Sequence, residues 1–169
     1  MIALARVLAV LLLALTAAAA WAGLGDADET PWEEGAVTLP AFPRDTDLVE
    51  FYVSAATANR FFIDAKSLSA GGDGVVRYVL VVMTAGGATN VSFEGIRCSA
   101  REYRLYATGR ADRSWGELRH GEWRPIENKP MNRHHAALSR DYFCPGGVPI
   151  FKAEEGRDAL RRGKHPQAD

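Results

Sequence analysis

"VVRYVLVVMTAGGATNVSFEGIRCS", Val75–Ser99, decides the fold. Val75–Thr84 is almost continuously apolar and rich in valine, which is how a strand covered on both faces reads. It belongs at the centre of a sheet. The "AGGA" at 85–88 makes a tight turn, because adjacent glycines accept the positive φ of hairpin turns. The chain then returns antiparallel through Thr89–Ser99. Val91 and Phe93 share one side. Ile96 and Cys98 continue the apolar side one residue out of phase. The slip falls at Gly95, so a β-bulge is expected there.

The segments on either side extend this hairpin. In "DLVEFYV", Asp47–Val53, Val49, Phe51 and Val53 alternate with Glu50 and Tyr52, the period of a half-buried strand. "NRFFID", Asn59–Asp64, is a second strand, and the "AATAN" before it is a turn or a single helical turn. "AKSLSAGGDG" reads as a loop. Beyond the hairpin, "REYRLYATG", Arg101–Gly109, is a further strand. "GRADRSWGELRHGEWRPIE" reads as a loop closing on an edge strand near Glu122–Ile126, where Pro125 fits. "MNRHHAALSRDYFCP" switches to helical spacing. Asn132 is a good N-cap, His135, Leu138 and Tyr142 share a face, and Pro145 forbids continuation past Cys144. "KAEEGRDALRRGKH" reads as a short charged helix that buries little. The expected architecture is a single α+β domain, an antiparallel sheet of about five strands with one C-terminal helix packed on it.

The start of the chain bears on where it works. Arg6 precedes the apolar run Val7–Ala20, and "AWA", Ala20–Ala22, has the form of a signal-peptidase site, with "AAA", Ala18–Ala20, as a second. The run falls short of the about 20 apolar residues of a membrane span. It reads as a cleavable secretory signal at 1–22; the other reading is an uncleaved anchor. An extended acidic, proline-containing arm follows at 23–46, then the globular part at 47–150 and a charged tail at 151–169. No cysteine stands at the cleavage point, so no lipid anchor is expected. No second long apolar run is seen, so the mature chain is expected to be periplasmic without a membrane span.

Export sets the reading of the cysteines. Two cysteines in an oxidising compartment are most simply one disulfide, Cys98–Cys144, with a free pair as the other reading. Closing that loop contributes about 4 kcal/mol on the chain-entropy account. A disulfide also removes the thiolate that a cysteine nucleophile needs. The net charge of −1 gives no pull toward nucleic acid.

Four blocks carry a resemblance: "LVEFYVSAATANRFFID", "GVVRYVLVVMTAGGATNVSFEGIRC", "REYRLYATGR" and "NRHHAALSRDYFCP". Together they resemble the family of exported bacterial proteins named after the cryptic neisserial protein. The resemblance implies secretion to the periplasm or envelope. It brings no catalytic residues, and its cysteine-bearing blocks suit a structural pair. The lipoprotein form common in that family is not expected here, since the cleavage site lacks cysteine.

The candidate sites follow from residue types. His120, His134, His135 and His165 lack the i, i+4 spacing of zinc ligands, and adjacent helical histidines point about 100° apart, so no metal is expected. His135 is expected to hydrogen-bond into the core. No G-x-S-x-G elbow is present, and "SAGGDG" and "TAGGAT" lack the lysine of a phosphate loop. No cofactor is expected. The arginines between Arg97 and Arg124 are interleaved with Tyr103, Tyr106, Trp115 and Trp123. One reading is a solvated face neutralised by Glu94, Glu102, Asp112, Glu117 and Glu122. The other is a binding surface lined by Arg104, Arg110, Trp115 and Trp123. The functional expectation is a non-enzymatic binding or structural module of the envelope, with an unidentified partner protein or cell-wall ligand. The alternative is a periplasmic hydrolase pairing His135 with Asp141 or Glu102.

Overall fold

The computed structural model describes residues 31–118, 121–130 and 133–168. The segment at 1–22 expected to be a signal, Asn132 and His120 lie outside the described residues. Glu33–Asp169 form one compact unit.

The hairpin is the centre of an eight-stranded antiparallel sheet. Its strands are β1 (Leu48–Phe51), β2 (Arg60–Asp64), β3 (Ser69–Ala70), β4 (Val75–Met83), β5 (Thr89–Arg97), β6 (Glu102–Gly109), β7 (Trp115–Glu117) and β8 (Arg124–Pro125). The order is β1-β2-β4-β5-β6-β7, with β3 on β4 and β8 on β6. The expected count of about five was too small. β3 and β7 lie in stretches read as loops, and at two and three residues they are too short to show alternation. The hairpin turn holds through Thr84: Gly87 N–H donates to the Thr84 carbonyl at 2.9 Å and Ala88 N–H to Thr84 Oγ1 at 3.0 Å. Gly87 takes the left-handed φ of 85° that this turn requires.

Both faces of the sheet are covered, which explains the valine run. On one face Phe61, Ile63, Val76, Tyr78, Leu80 and Ile96 pack with Leu138, Tyr142, Phe143 and Leu160. On the other, Phe62, Val79, Val81, Phe93, Tyr106 and Ala107 pack with Leu39, Val91 and Trp115. Apolar residues therefore occur at both parities on β5. Val91 and Phe93 serve one core and Ile96 and Cys98 the other, with no slip between them. β5 pairs with β4 in unbroken register through Gly95, and the expected bulge at Gly95 is absent. The register shifts instead against β6, where Phe93 opposes Ala107 and Glu94 opposes Leu105, leaving Tyr106 as the extra residue. Gly95 has a different role. A Cβ there would lie 2.7 Å from the Tyr106 hydroxyl and 2.9 Å from Val75 Cγ1, so glycine makes room for the Tyr106 ring.

Helix α1 (Arg133–Ala137) runs directly into a π-helical turn, Leu138–Phe143, closed by Cys144 N–H on the Ser139 carbonyl at 2.9 Å. His135, Leu138 and Tyr142 face the core as their spacing requires, and Phe143 joins them. Cys98 and Cys144 form a disulfide with Cα atoms 5.5 Å apart, tying the end of β5 to this turn. The charged helix α2 (Ala153–Arg162) was expected to bury little, and here the structure differs. Gly156, Ala159 and Leu160 are buried. A Cβ at Gly156 would stand 2.6 Å from Ile150 Cδ1 and 2.8 Å from Leu68 Cδ2, so small residues let the helix approach the core closely. The sheet thus carries two C-terminal helices on one face, not one. No helix among the described residues is long and apolar enough to cross a membrane.

Candidate functional site

On β5, Glu94 shares its parity with Ile96 and Cys98, so it points toward the helices. It is 6% exposed. A carboxylate in that position needs partners, and it has three. Ser92 Oγ–H donates to Oε1 at 2.6 Å, Tyr78 O–H donates to Oε2 at 3.3 Å, and His135 Nε2 lies 2.8 Å from the same Oε2. Burial pushes the Glu94 carboxyl up, but the charge and hydrogen bond of His135 outweigh it and hold it below its ordinary value. Burial, with the Glu94 charge adding to it, pushes the Tyr78 phenol well up and keeps it a donor.

His135 is enclosed on both ring faces. Tyr103 stacks on it at 3.8 Å between centroids, and the His134 ring lies 4.1 Å away. Its Nδ1 is buried and has no hydrogen-bond partner among the described residues. His134 in turn stacks on Phe61. Burial, and then the neighbouring His135, press its pKa down to about 4, so it is neutral at physiological pH. Against this assembly opens a cavity of about 540 Å³, lined by Glu94, Tyr103, Leu105, Leu118, Glu122 and Arg124 beside His135. Leu118 is 43% exposed.

Glu94 is the residue that the sequence reading placed wrongly. It was counted among acids neutralising a solvated arginine face. His135 was paired with Asp141 or Glu102 in the hydrolase reading. Asp141 instead holds Arg140 at 2.5 Å and Glu102 holds Arg97 at 2.5 Å. The usable signal was parity, since Glu94 stands two residues before Ile96 and four before Cys98.

The arginine–tryptophan residues fall elsewhere. Arg104 reaches Glu34 of the N-terminal arm and lies over the Tyr106 ring. Trp115 is half-buried, its Nε1–H donating to the Pro40 carbonyl at 2.8 Å and its ring 5.1 Å from Phe42. Arg110 turns back on its own loop, donating to the Trp115 carbonyl at 2.9 Å. Trp123 packs beneath the Arg97 guanidinium. Arg104 and Trp115 thus meet the arm, and Arg110 and Trp123 are engaged locally.

The arm contributes a second, half-buried carboxylate. Glu34 accepts from Arg104 and from the Tyr106 hydroxyl, and Arg77 Nη2 lies 3.3 Å from its Oε1. Arg77 is also gripped by Asp73 at 2.5 Å. Burial opposes the Asp73 charge, but Arg77 and the Gly35 and Val75 N–H groups prevail and take its carboxyl down to about 2. Burial and the Glu34 carboxylate push the Tyr106 phenol up.

A family model described as the CNP1-like family matches residues 27–161. Cryptic neisserial protein 1 of Neisseria gonorrhoeae is 29% identical over 103 residues, covering 53% of this chain and 50% of that protein. The chain therefore spans about half the length of the curated relative it matches. No solved structure matches it. The family match takes in the arm with Glu34, the sheet with Glu94, the helix with His135 and the disulfide, and on that breadth the chain belongs to the CNP1-like family.

Proposed function

We propose that this chain is an exported protein of the periplasm or cell envelope, acting as a non-enzymatic binding or structural module. The cavity beside Glu94 and His135 is its ligand site. The support for export is the signal-like segment at 1–22 together with the structural disulfide. The support for binding without catalysis is the state of His135. A general base must present a nitrogen within hydrogen-bond reach of its substrate. Here Nε2 is taken by Glu94, Nδ1 is buried, and Tyr103 and His134 cover the ring faces. Such a hydrogen-bonded pair shapes a cavity without offering a reactive atom. Tyr103, Leu105 and Leu118 suit the apolar body of a small ligand, and Glu122 and Arg124 suit a polar end. The hydrolase reading keeps one favourable observation, a buried histidine–carboxylate pair beside a cavity.

Native mass spectrometry of the full chain purified from periplasm tests both parts. The mass is expected to begin after Ala20 or Ala22. A small-molecule adduct is expected, and Leu105→Trp, which fills the cavity, is expected to lose it while remaining folded. No adduct, together with an ester- or peptide-hydrolysing activity abolished by His135→Gln, would replace the binding reading with the hydrolase.

A further inference from the structure

The opposite face of the sheet carries an arrangement that the cavity does not involve. Residues 33–44 cross it without secondary structure. Among the described residues, no backbone–backbone hydrogen bond ties 33–43 to a strand. Side chains hold the arm at two points. At the first, Glu34 sits on Arg77, Arg104 and Tyr106, and Gly35 N–H donates to Asp73 Oδ2 at 2.8 Å. At the second, Leu39 joins the core under the arm, Phe42 meets Trp115, and Trp115 and Arg113 donate to the carbonyls of Pro40 and Pro43. Residues 36–38 between the two points are exposed.

We infer that this face is a binding site for a partner's extended peptide carrying a carboxylate ahead of apolar residues, and that residues 34–43 occupy it in cis until that peptide displaces them. The charges point this way. Arg77 is already neutralised by Asp73, so Glu34 is the carboxylate of Arg104. When Glu34 leaves, the face gains a positive charge and the Tyr106 hydroxyl loses its acceptor. Among the described residues, the buried Nε–H groups of Arg77 and Arg104 have no acceptor even with Glu34 in place. The cradle is therefore not saturated by its cis occupant. Departure of the arm also uncovers Trp115 and the core that Leu39 joins, which ask for apolar side chains in the spacing of Leu39 and Phe42 after Glu34. Attachment through side chains alone lets the arm lift without disturbing the sheet ladder.

The Trp115 indole N–H, bonded to the Pro40 carbonyl, reports arm opening in the unaltered full chain. By NMR it is expected to exchange with solvent at least about a hundred-fold faster than the amides of Val79 and Ile96, as sub-global opening requires. Exchange only at the rate of those core amides would mean that the arm never leaves, and would overturn the inference. The full chain with Glu34→Gln and Phe42→Ala weakens both cis anchors and keeps the cradle. A fluorescein-labelled peptide of residues 32–44 is expected to bind it about ten-fold or more tightly than the unaltered chain, where the cis arm competes at about millimolar effective concentration. The same peptide with Glu34→Gln is expected to lose most of that binding. Equal binding of the two peptides, or none to a folded double variant, counts against the site. If the double variant does not fold, indole exchange on the unaltered chain decides. A concentration-dependent dimer of the unaltered chain would assign the site to a second copy's arm and overturn the partner peptide as its occupant.

Discussion

Glu94 and Glu34 are carboxylates on opposite faces of one sheet, the first buried and the second half-buried. Glu94 belongs to a central strand and is held by a histidine and two hydroxyls, beneath helices pinned by a disulfide. Glu34 arrives on an arm with no secondary structure and is held by two arginines and a phenol. The first site has permanent walls and a carboxylate held below its ordinary value by its neighbours. The second has permanent cations and a removable wall. Acid should therefore act on the helix face, and sequence changes in the arm should act on the other.

The largest effect is expected from Glu94→Leu. It removes one partner of a buried pair and should cost about 3–5 kcal/mol in a denaturant titration. Adding His135→Leu should return much of that, because two apolar residues replace the pair. If the single and double variants lose the same amount, the pair is no unit and the contrast fails.

A pH titration comes next. His134 has a folded pKa of about 4 against an ordinary 6.5. Between those values the unfolded chain binds a proton that the folded chain refuses, so stability falls as pH falls, by about 2–3 kcal/mol across the window. Glu94 is also depressed, so its contribution is present above its ordinary value of 4.5 and is lost below it. On the arm face, Asp73 holds from 3.8 down to about 2. Acidification should thus loosen the helix face first, and His134→Phe should flatten the slope between 6.5 and 4. Arm signals in NMR that move before those of the helices would reverse the assignment.

Gly95→Ala sharpens the comparison from the middle of the sheet. The new methyl meets the Tyr106 hydroxyl and Val75, and about 2 kcal/mol of overpacking is expected. Because Tyr106 must shift, Glu34 loses a donor, and the Trp115 indole should exchange faster while His135 stays unmoved.

Glu34→Gln is the mildest change, about 1 kcal/mol in thermal or chemical unfolding, since the site is partly exposed to solvent screening. A loss as large as that of Glu94→Leu would make the arm an integral part of the core.

The sequence pattern made the hairpin legible because ten-residue apolar runs carry many periods. It made α1 and the π-helical turn after it legible through His135, Leu138 and Tyr142. What escaped it has physical causes. The apolar parity change on β5 looks like a slip unless the arm's cover over Phe93 is known. The packing of α2 rests on Gly156 and Ala159, whose small size brings the helix close while adding little to any hydrophobic pattern. Glu94 and His135 meet across 41 residues of chain, and no local spacing announces such a pair. Arg104 and Trp115 are expected from the sequence to line a binding surface, and the arm that meets them lies 70 or more residues upstream.

That separation has a consequence in time. The hairpin closes between residues a few positions apart and forms as soon as both strands exist. The Glu34–Arg104 and Pro40–Trp115 contacts span 70 and 75 residues, so they wait for β6 and β7. Synthesis runs from the N-terminus, which makes the arm one of the first segments of the folded unit to be made and one of the last to be placed. During that interval its leucine, phenylalanine and prolines travel uncovered. The arm's attachment by a few side chains is what allows so late an arrival to complete a sheet already built.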